Sequence, residues 1–171
     1  MNRAIIYLVG FMGAGKTSVG QDLARLLGWE FVDLDTAIEE REGVPIRDIF
    51  SQKGEPCFRA MESAALREVG RRRNLVVALG GGAFCSEANQ EMVKSTGVSV
   101  WLDAPMELLQ ARCPSDGTRP LFSTPSEMAE LLQRRLPFYS RADLRLDVTG
   151  LTIEDAAREI IRLCGRGSTG D

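Results

Sequence analysis

Lys16 and Thr17 close the octapeptide Gly10-Phe11-Met12-Gly13-Ala14-Gly15-Lys16-Thr17, which has the G-x-x-x-x-G-K-[ST] spacing of a phosphate-binding loop. Glycines let successive backbone N–H groups turn inward on a phosphate, and the N-terminus of a following helix adds a positive field. Lysine reaches the β- and γ-phosphates and the threonine hydroxyl is available to Mg²⁺. Gly13, Ala14, Gly15, Lys16, Thr17 and Ser18 are therefore expected to hold a nucleotide. The chain has only three lysines (Lys16, Lys53 and Lys94) against 18 arginines, so a lysine at this position is not a product of abundance. No asparagine is followed by lysine, so the N-K-x-D segment that reads guanine is missing and a GTPase is disfavoured. A phosphate cradle does not by itself say what is done with the nucleotide.

Asp33 and Asp35 stand two apart at the end of an apolar run. On a strand, that spacing puts both carboxylates on one side of the sheet. One can hold the water shell of Mg²⁺ and the other can accept the hydrogen of an attacking hydroxyl. Asp35 is also placed to cap a helix, and Asp103 and Asp147 end strands of their own and compete for the metal. Gly80, Gly81 and Gly82 follow a run of strand formers directly, where absent side chains allow close approach to exposed N–H groups. The chain has no histidine, which removes His-dependent triads and zinc sites and leaves a carboxylate or lysine as the only base. Its cysteines (Cys57, Cys85, Cys113 and Cys164) form no C-x-x-C pair and are expected to be reduced, buried small hydrophobes.

These groups need a frame. A chain of 171 residues with 44% hydrophobic residues and a net charge of -3 is expected to fold as one domain over residues 1–171. It has neither a membrane span nor the basic surface of a nucleic-acid binder, and a cytoplasmic monomer is the simplest expectation. Apolar runs predict strands over Ala4–Val9, Glu30–Leu34, Leu75–Leu79, Val98–Leu102 and Leu144–Val148. Helical periodicity is expected after the phosphate loop up to Gly28. It recurs over Thr36–Arg41, Ile46–Gln52, Cys57–Arg73, Glu87–Lys94, Pro105–Arg112, Ser126–Tyr139 and Ile153–Cys164. Alternation of this kind predicts a five-stranded parallel sheet with helices on both faces, an α/β three-layer sandwich with ligands at the carboxyl ends of the strands. Pro114–Pro125, rich in turn residues, is expected to be a mobile lid, and the tail after Cys164 to be frayed.

In this order, GFMGAGKT, DLD at 33–35, FRAME at 58–62, GGG at 80–82, TRPL at 118–121 and RLPFY at 135–139 resemble the shikimate kinases over nearly the whole chain. The resemblance implies a P-loop kinase fold and Mg-ATP-dependent phosphorylation of the 3-hydroxyl of shikimate, in aromatic amino acid (chorismate) biosynthesis. It implies ATP as co-substrate and one Mg²⁺, held by Thr17 and Asp33. It places Asp35 on the accepting hydroxyl and Arg59, Arg135 and the backbone of Gly80, Gly81 and Gly82 on the carboxylate and ring hydroxyls, within substrate-binding helices over about residues 36–62. Glu62 would orient Arg59, Arg112 would stack on adenine, and Arg119 in the lid would contact the transferring phosphate. Lys16, Asp35 and Arg119 would then be the catalytic set. A gluconate-type kinase and a nucleotide-binding regulatory protein are the alternatives.

Overall fold

Ile5–Val9, an unbroken apolar run, forms strand β1 and is buried at every position. Leu75–Ala78 forms β3 and is likewise buried throughout. Continuous burial needs cover on both faces, as in parallel sheets. The computed structural model describes residues 5–112 and 124–166 and contains one five-stranded sheet. Its strand order is β2-β3-β1-β4-β5, with β2 spanning Glu30–Asp33, β4 Val98–Asp103 and β5 Leu144–Asp147. Every pairing is parallel, with Tyr7 opposite Val77 on one side and Ser99 on the other.

Helices make the crossovers: α1 (Lys16–Leu27), α2 (Leu34–Glu42), α3 (Ile46–Lys53), α4 (Glu55–Val69), α5 (Glu87–Thr96), α6 (Met106–Arg112) and α7 (Pro125–Tyr139), while α8 (Ile153–Arg166) follows β5. A 3₁₀ turn, Ala83–Cys85, follows the glycine triplet. Helix α1 packs on α8 and α4 packs on α5, and the buried side chains of strands and helices form one cluster.

The fold agrees with expectation in class and differs at element ends. Strand β2 stops at Asp33, whose carboxylate accepts the Thr36 N–H as the cap of α2. Asp35 therefore sits in the first turn of a helix and not on the strand. Helix α4 begins at Glu55 with Pro56 in its first turn, and ends at Val69 before Gly70. Arg71, Arg72 and Arg73 fall outside it, and Asn74 turns the chain into β3 with φ +54°. Helix α7 opens on a capping box in which Thr124 accepts the Glu127 N–H and Glu127 reaches back to the Thr124 N–H. The expected lid, including Arg119, lies outside the described residues apart from Thr124 and Pro125, and Cys113 and residues 167–171 lie outside them too. Gly165 and Arg166 complete α8.

Candidate active site

Between β1 and α1 the chain turns through Gly10, Gly13 and Gly15, at φ +151°, +83° and +93°, conformations that side chains rarely adopt. A Cβ on Gly10 would also stand 2.8 Å from the Leu102 carbonyl oxygen of β4. The Lys16 ammonium donates to the carbonyls of Gly10 (2.7 Å) and Phe11 (2.9 Å), folding over its own loop. Thr17 donates its hydroxyl to Asp33 Oδ2 at 2.7 Å. Loop and β2 therefore meet at two hard oxygens, the donors that Mg²⁺ prefers, and the residues fit that ion. The competing carboxylates are engaged elsewhere: Asp103 accepts from Arg145, and exposed Asp147 holds the Thr149 N–H. Arg112, at the end of α6, lies on the phosphate-loop side, its Nη1 3.5 Å from where a Gly15 Cβ would be.

A second group assembles one strand away. Each glycine of the triplet leaves room for a charged side chain, because its missing Cβ would collide with one. At Gly80 the Cβ would stand 2.5 Å from Asp35 Oδ1 and 2.9 Å from Glu62 Oε2. At Gly81 it would be 2.7 Å from Arg135 Nη1, and at Gly82 it would be 2.5 Å from both terminal nitrogens of Arg59. None of the three has positive φ, so space and not backbone conformation explains them. The expectation that the glycines merely expose backbone is thus incomplete: they also let two arginines and two carboxylates close in.

Arg59 donates Nη1 to Glu62 Oε1 at 2.6 Å and pairs more loosely with Glu55 at 3.3 Å. Glu62 is 1% exposed, and burial pushes its carboxyl above the ordinary value although Arg59 pulls the other way. For Arg59, burial works against the charge, but the two glutamates outweigh it and its pKa is raised. Arg135 is 5% exposed, its guanidinium lies 5.6 Å from the Phe11 ring centroid, and its Nη1 has no hydrogen-bond partner among the described residues. A buried cation with an open donor is a place for an anion.

Both groups line one cleft of about 730 Å³, which takes in Gly13, Gly15, Lys16, Thr17, Ser18, Asp33, Asp35, Arg59, Gly80, Gly81, Gly82, Arg112 and Arg135. Among the residues expected at the site, buried Ala14 contributes packing beneath the loop, and Arg119 is outside the described residues. Sequence reasoning placed the substrate-binding helices over about residues 36–62 but did not name the wall made by Pro45, Ile46, Arg47, Phe50 and Phe58. Its signal was the apolar pattern at 46, 49 and 50, which reads equally well as core. Ile49 is core, whereas Ile46 and Phe50 face the cleft. The cysteine expectation needs correction as well: Cys57, Cys85 and Cys164 are free but only half-buried. Burial raises the Cys85 thiol, which lies near the arginines.

A phosphate loop on a parallel sheet, facing a carboxylate-and-arginine pocket across one cleft, defines a P-loop small-molecule kinase. A family profile described as shikimate kinase matches residues 12–164. A shikimate kinase of Moorella thermoacetica is 43% identical over 91% of each chain. The structure of a shikimate kinase from Acinetobacter baumannii in complex with shikimate superposes with a TM-score of 0.93, at 39% identity, covering 98% of this chain and 96% of that one. The crystal structure of a shikimate kinase from Aquifex aeolicus gives a TM-score of 0.87, at 35% identity over 98% and 99% of the two chains. The chain belongs to the shikimate kinase family.

Proposed function

We propose that this protein transfers the γ-phosphoryl group of Mg-ATP to the 3-hydroxyl of shikimate, giving shikimate 3-phosphate and ADP. The observation that carries this reading is the single cleft in which the Lys16–Thr17–Asp33 group faces the Asp35, Arg59, Glu62 and Arg135 group across the glycine triplet. Phosphoryl transfer passes through a loose transition state, so positioned charge is the main thing a protein can supply.

Lys16 exchanges its two loop carbonyls for phosphate oxygens when nucleotide arrives. Thr17 and Asp33 would hold Mg²⁺, which would supply positive charge against the phosphates. Asp35 receives the hydrogen bond of the accepting hydroxyl and orients it. The shikimate carboxylate is taken by Arg59 and by the open Nη1 of Arg135, each charge-assisted bond contributing about 1.5–3 kcal/mol. Two such bonds favour an acid over a neutral polyol by orders of magnitude. The backbone of Gly80, Gly81 and Gly82 completes the acceptor pocket. Arg112 is assigned to the adenine, and Arg119, from the sequence resemblance, to the transferring phosphate. The protein acts as a cytoplasmic monomer of one kinase domain, with small molecules and neither nucleic acid nor membrane as partners. Among the described residues no helix is long and apolar enough to cross a membrane.

ADP release from Mg-ATP, with shikimate, gluconate and AMP as parallel acceptors, tests this. Release that depends on shikimate is expected. Release with gluconate or AMP instead would discard the acceptor assignment, and none with any acceptor would favour a regulatory nucleotide binder.

A further inference from the structure

The geometry points to Tyr139 as a positioning residue for the acceptor pocket, one that pins the glycine triplet through the Gly81 carbonyl. The inference rests on the functional reading above. Tyr139 ends α7 and is fully buried, its ring 6.1 Å from that of Trp101 and its hydroxyl donating to Gly81 O at 2.5 Å. That hydroxyl keeps its proton across the whole working range, since burial raises its pKa far above the ordinary tyrosine value.

The peptide between Gly81 and Gly82 is trans, so its carbonyl and N–H point opposite ways. Holding the carbonyl down on Tyr139 turns the Gly82 N–H away from the buried ring. That N–H donates to no acceptor among the described residues. A run of three glycines has more conformational freedom than any other tripeptide, and, besides the Asn89 amide that donates to Ala83 O (2.8 Å) just past the triplet, the nearby restraints are the turn bonds Ala83 N–H to Gly80 O (3.0 Å) and Cys85 N–H to Gly82 O (3.1 Å). Neither fixes the Gly81–Gly82 peptide plane. Tyr139 and Arg135 lie four apart on α7, hence on one helix face, and both meet Gly81. One side of the helix therefore sets the buried cation and the loop beside it in a common register.

The test is Tyr139→Phe, which keeps the ring and removes only the donor. Loss of one hydrogen bond's worth of alignment is expected to raise the shikimate KM about tenfold, with the ATP KM and kcat within about twofold of wild type. Amide exchange at residues 80–83 of the ligand-free protein should quicken, with exchange in β1 and α1 unchanged. A parallel fall in kcat and ATP affinity, or an unchanged shikimate KM, would overturn the inference. If the wild-type protein does not phosphorylate shikimate, the functional reading fails. The exchange result then decides on Tyr139 alone, unchanged exchange at 80–83 overturning it. Should the variant not fold, a slowly exchanging hydroxyl proton assigned to Tyr139, as distinct from that of Tyr7 on Thr96, in the wild-type NMR spectrum supports the bond and its absence overturns it.

Discussion

Glu62 is the residue whose surroundings carry the clearest consequence. It is sealed from water, holds Arg59 through one oxygen and shares the space over Gly80 with Asp35 through the other. Burial raises its pKa, and the nearby Asp35 adds to that while Arg59 and Arg135 oppose it. The sign for activity follows. As pH falls through the raised value, Glu62 takes a proton and the charge that steadies Arg59 disappears, so capture of the acid substrate weakens. The expected profile of kcat/KM for shikimate therefore falls on the acid side with a midpoint above the ordinary carboxylate range, while the ATP KM stays flat. Glu62→Gln should start with a shikimate KM about tenfold higher, the cost of replacing a charged acceptor by a neutral one, and should lose that titration. An identical midpoint in both proteins would assign the titration to another group.

Among the elements, the two glycine-rich turns differ in what they tolerate. Gly10 has φ +151° and a neighbour that cannot yield, the Leu102 carbonyl of the sheet itself. Gly10→Ala is expected to cost about 1–3 kcal/mol of strain and to lower the melting temperature by about 2–4 °C per kcal/mol, with a raised ATP KM. A Cβ on Gly82 meets only the end of Arg59, a flexible chain that can swing aside. Gly82→Ala should lower its melting temperature less than Gly10→Ala does, while its shikimate KM rises about tenfold, since a displaced Arg59 loses a charge-assisted bond. Thermal unfolding and steady-state kinetics of the pair check the contrast. The same elements show where sequence is legible. Glycine spacing marks the phosphate loop because the positive φ values demand it, and apolar runs mark strands because both faces are covered. The D-x-D spacing misleads: a strand reading puts Asp35 beside Asp33, but Asp33 caps a helix and a helical turn carries Asp35 to Gly80 instead. Nothing local reveals that Phe11 would lie against Arg135, 124 positions away in the chain. Contacts of that kind depend on the completed sheet.

At the scale of the molecule, the strand order does the assembling. Strands β2, β3 and β1 are neighbours, and each delivers one segment from the same end: Asp33, then the glycine triplet, then the phosphate loop. Adjacent strands are about 4.8 Å apart, so sheet geometry sets the phosphate loop and the proposed acceptor pocket side by side before any side chain is chosen. The crevice falls where the chain changes direction across the sheet, beside β1. The acceptor contacts proposed above come from α2, α4 and α7, so a ligand bridging Arg59, Arg135 and Asp35 would tie together parts of the chain that only the native state unites. Such a ligand binds the folded protein and not the unfolded one. Shikimate at about a hundred times its Kd is then expected to stabilise by about 2.7 kcal/mol, a rise of roughly 5–10 °C in melting temperature for a chain of this size. Gluconate at the same concentration, having a carboxylate but no ring to fill the wall of Ile46 and Phe50, should shift it far less. Arg135→Gln should remove most of the shikimate shift and leave that of ADP intact, because the nucleotide is assigned to the other half of the cleft. A scan in which Arg135→Gln weakened both ligands equally would mean that the two halves fail together, and the cation over Phe11 would then be holding the phosphate loop as well as the acceptor.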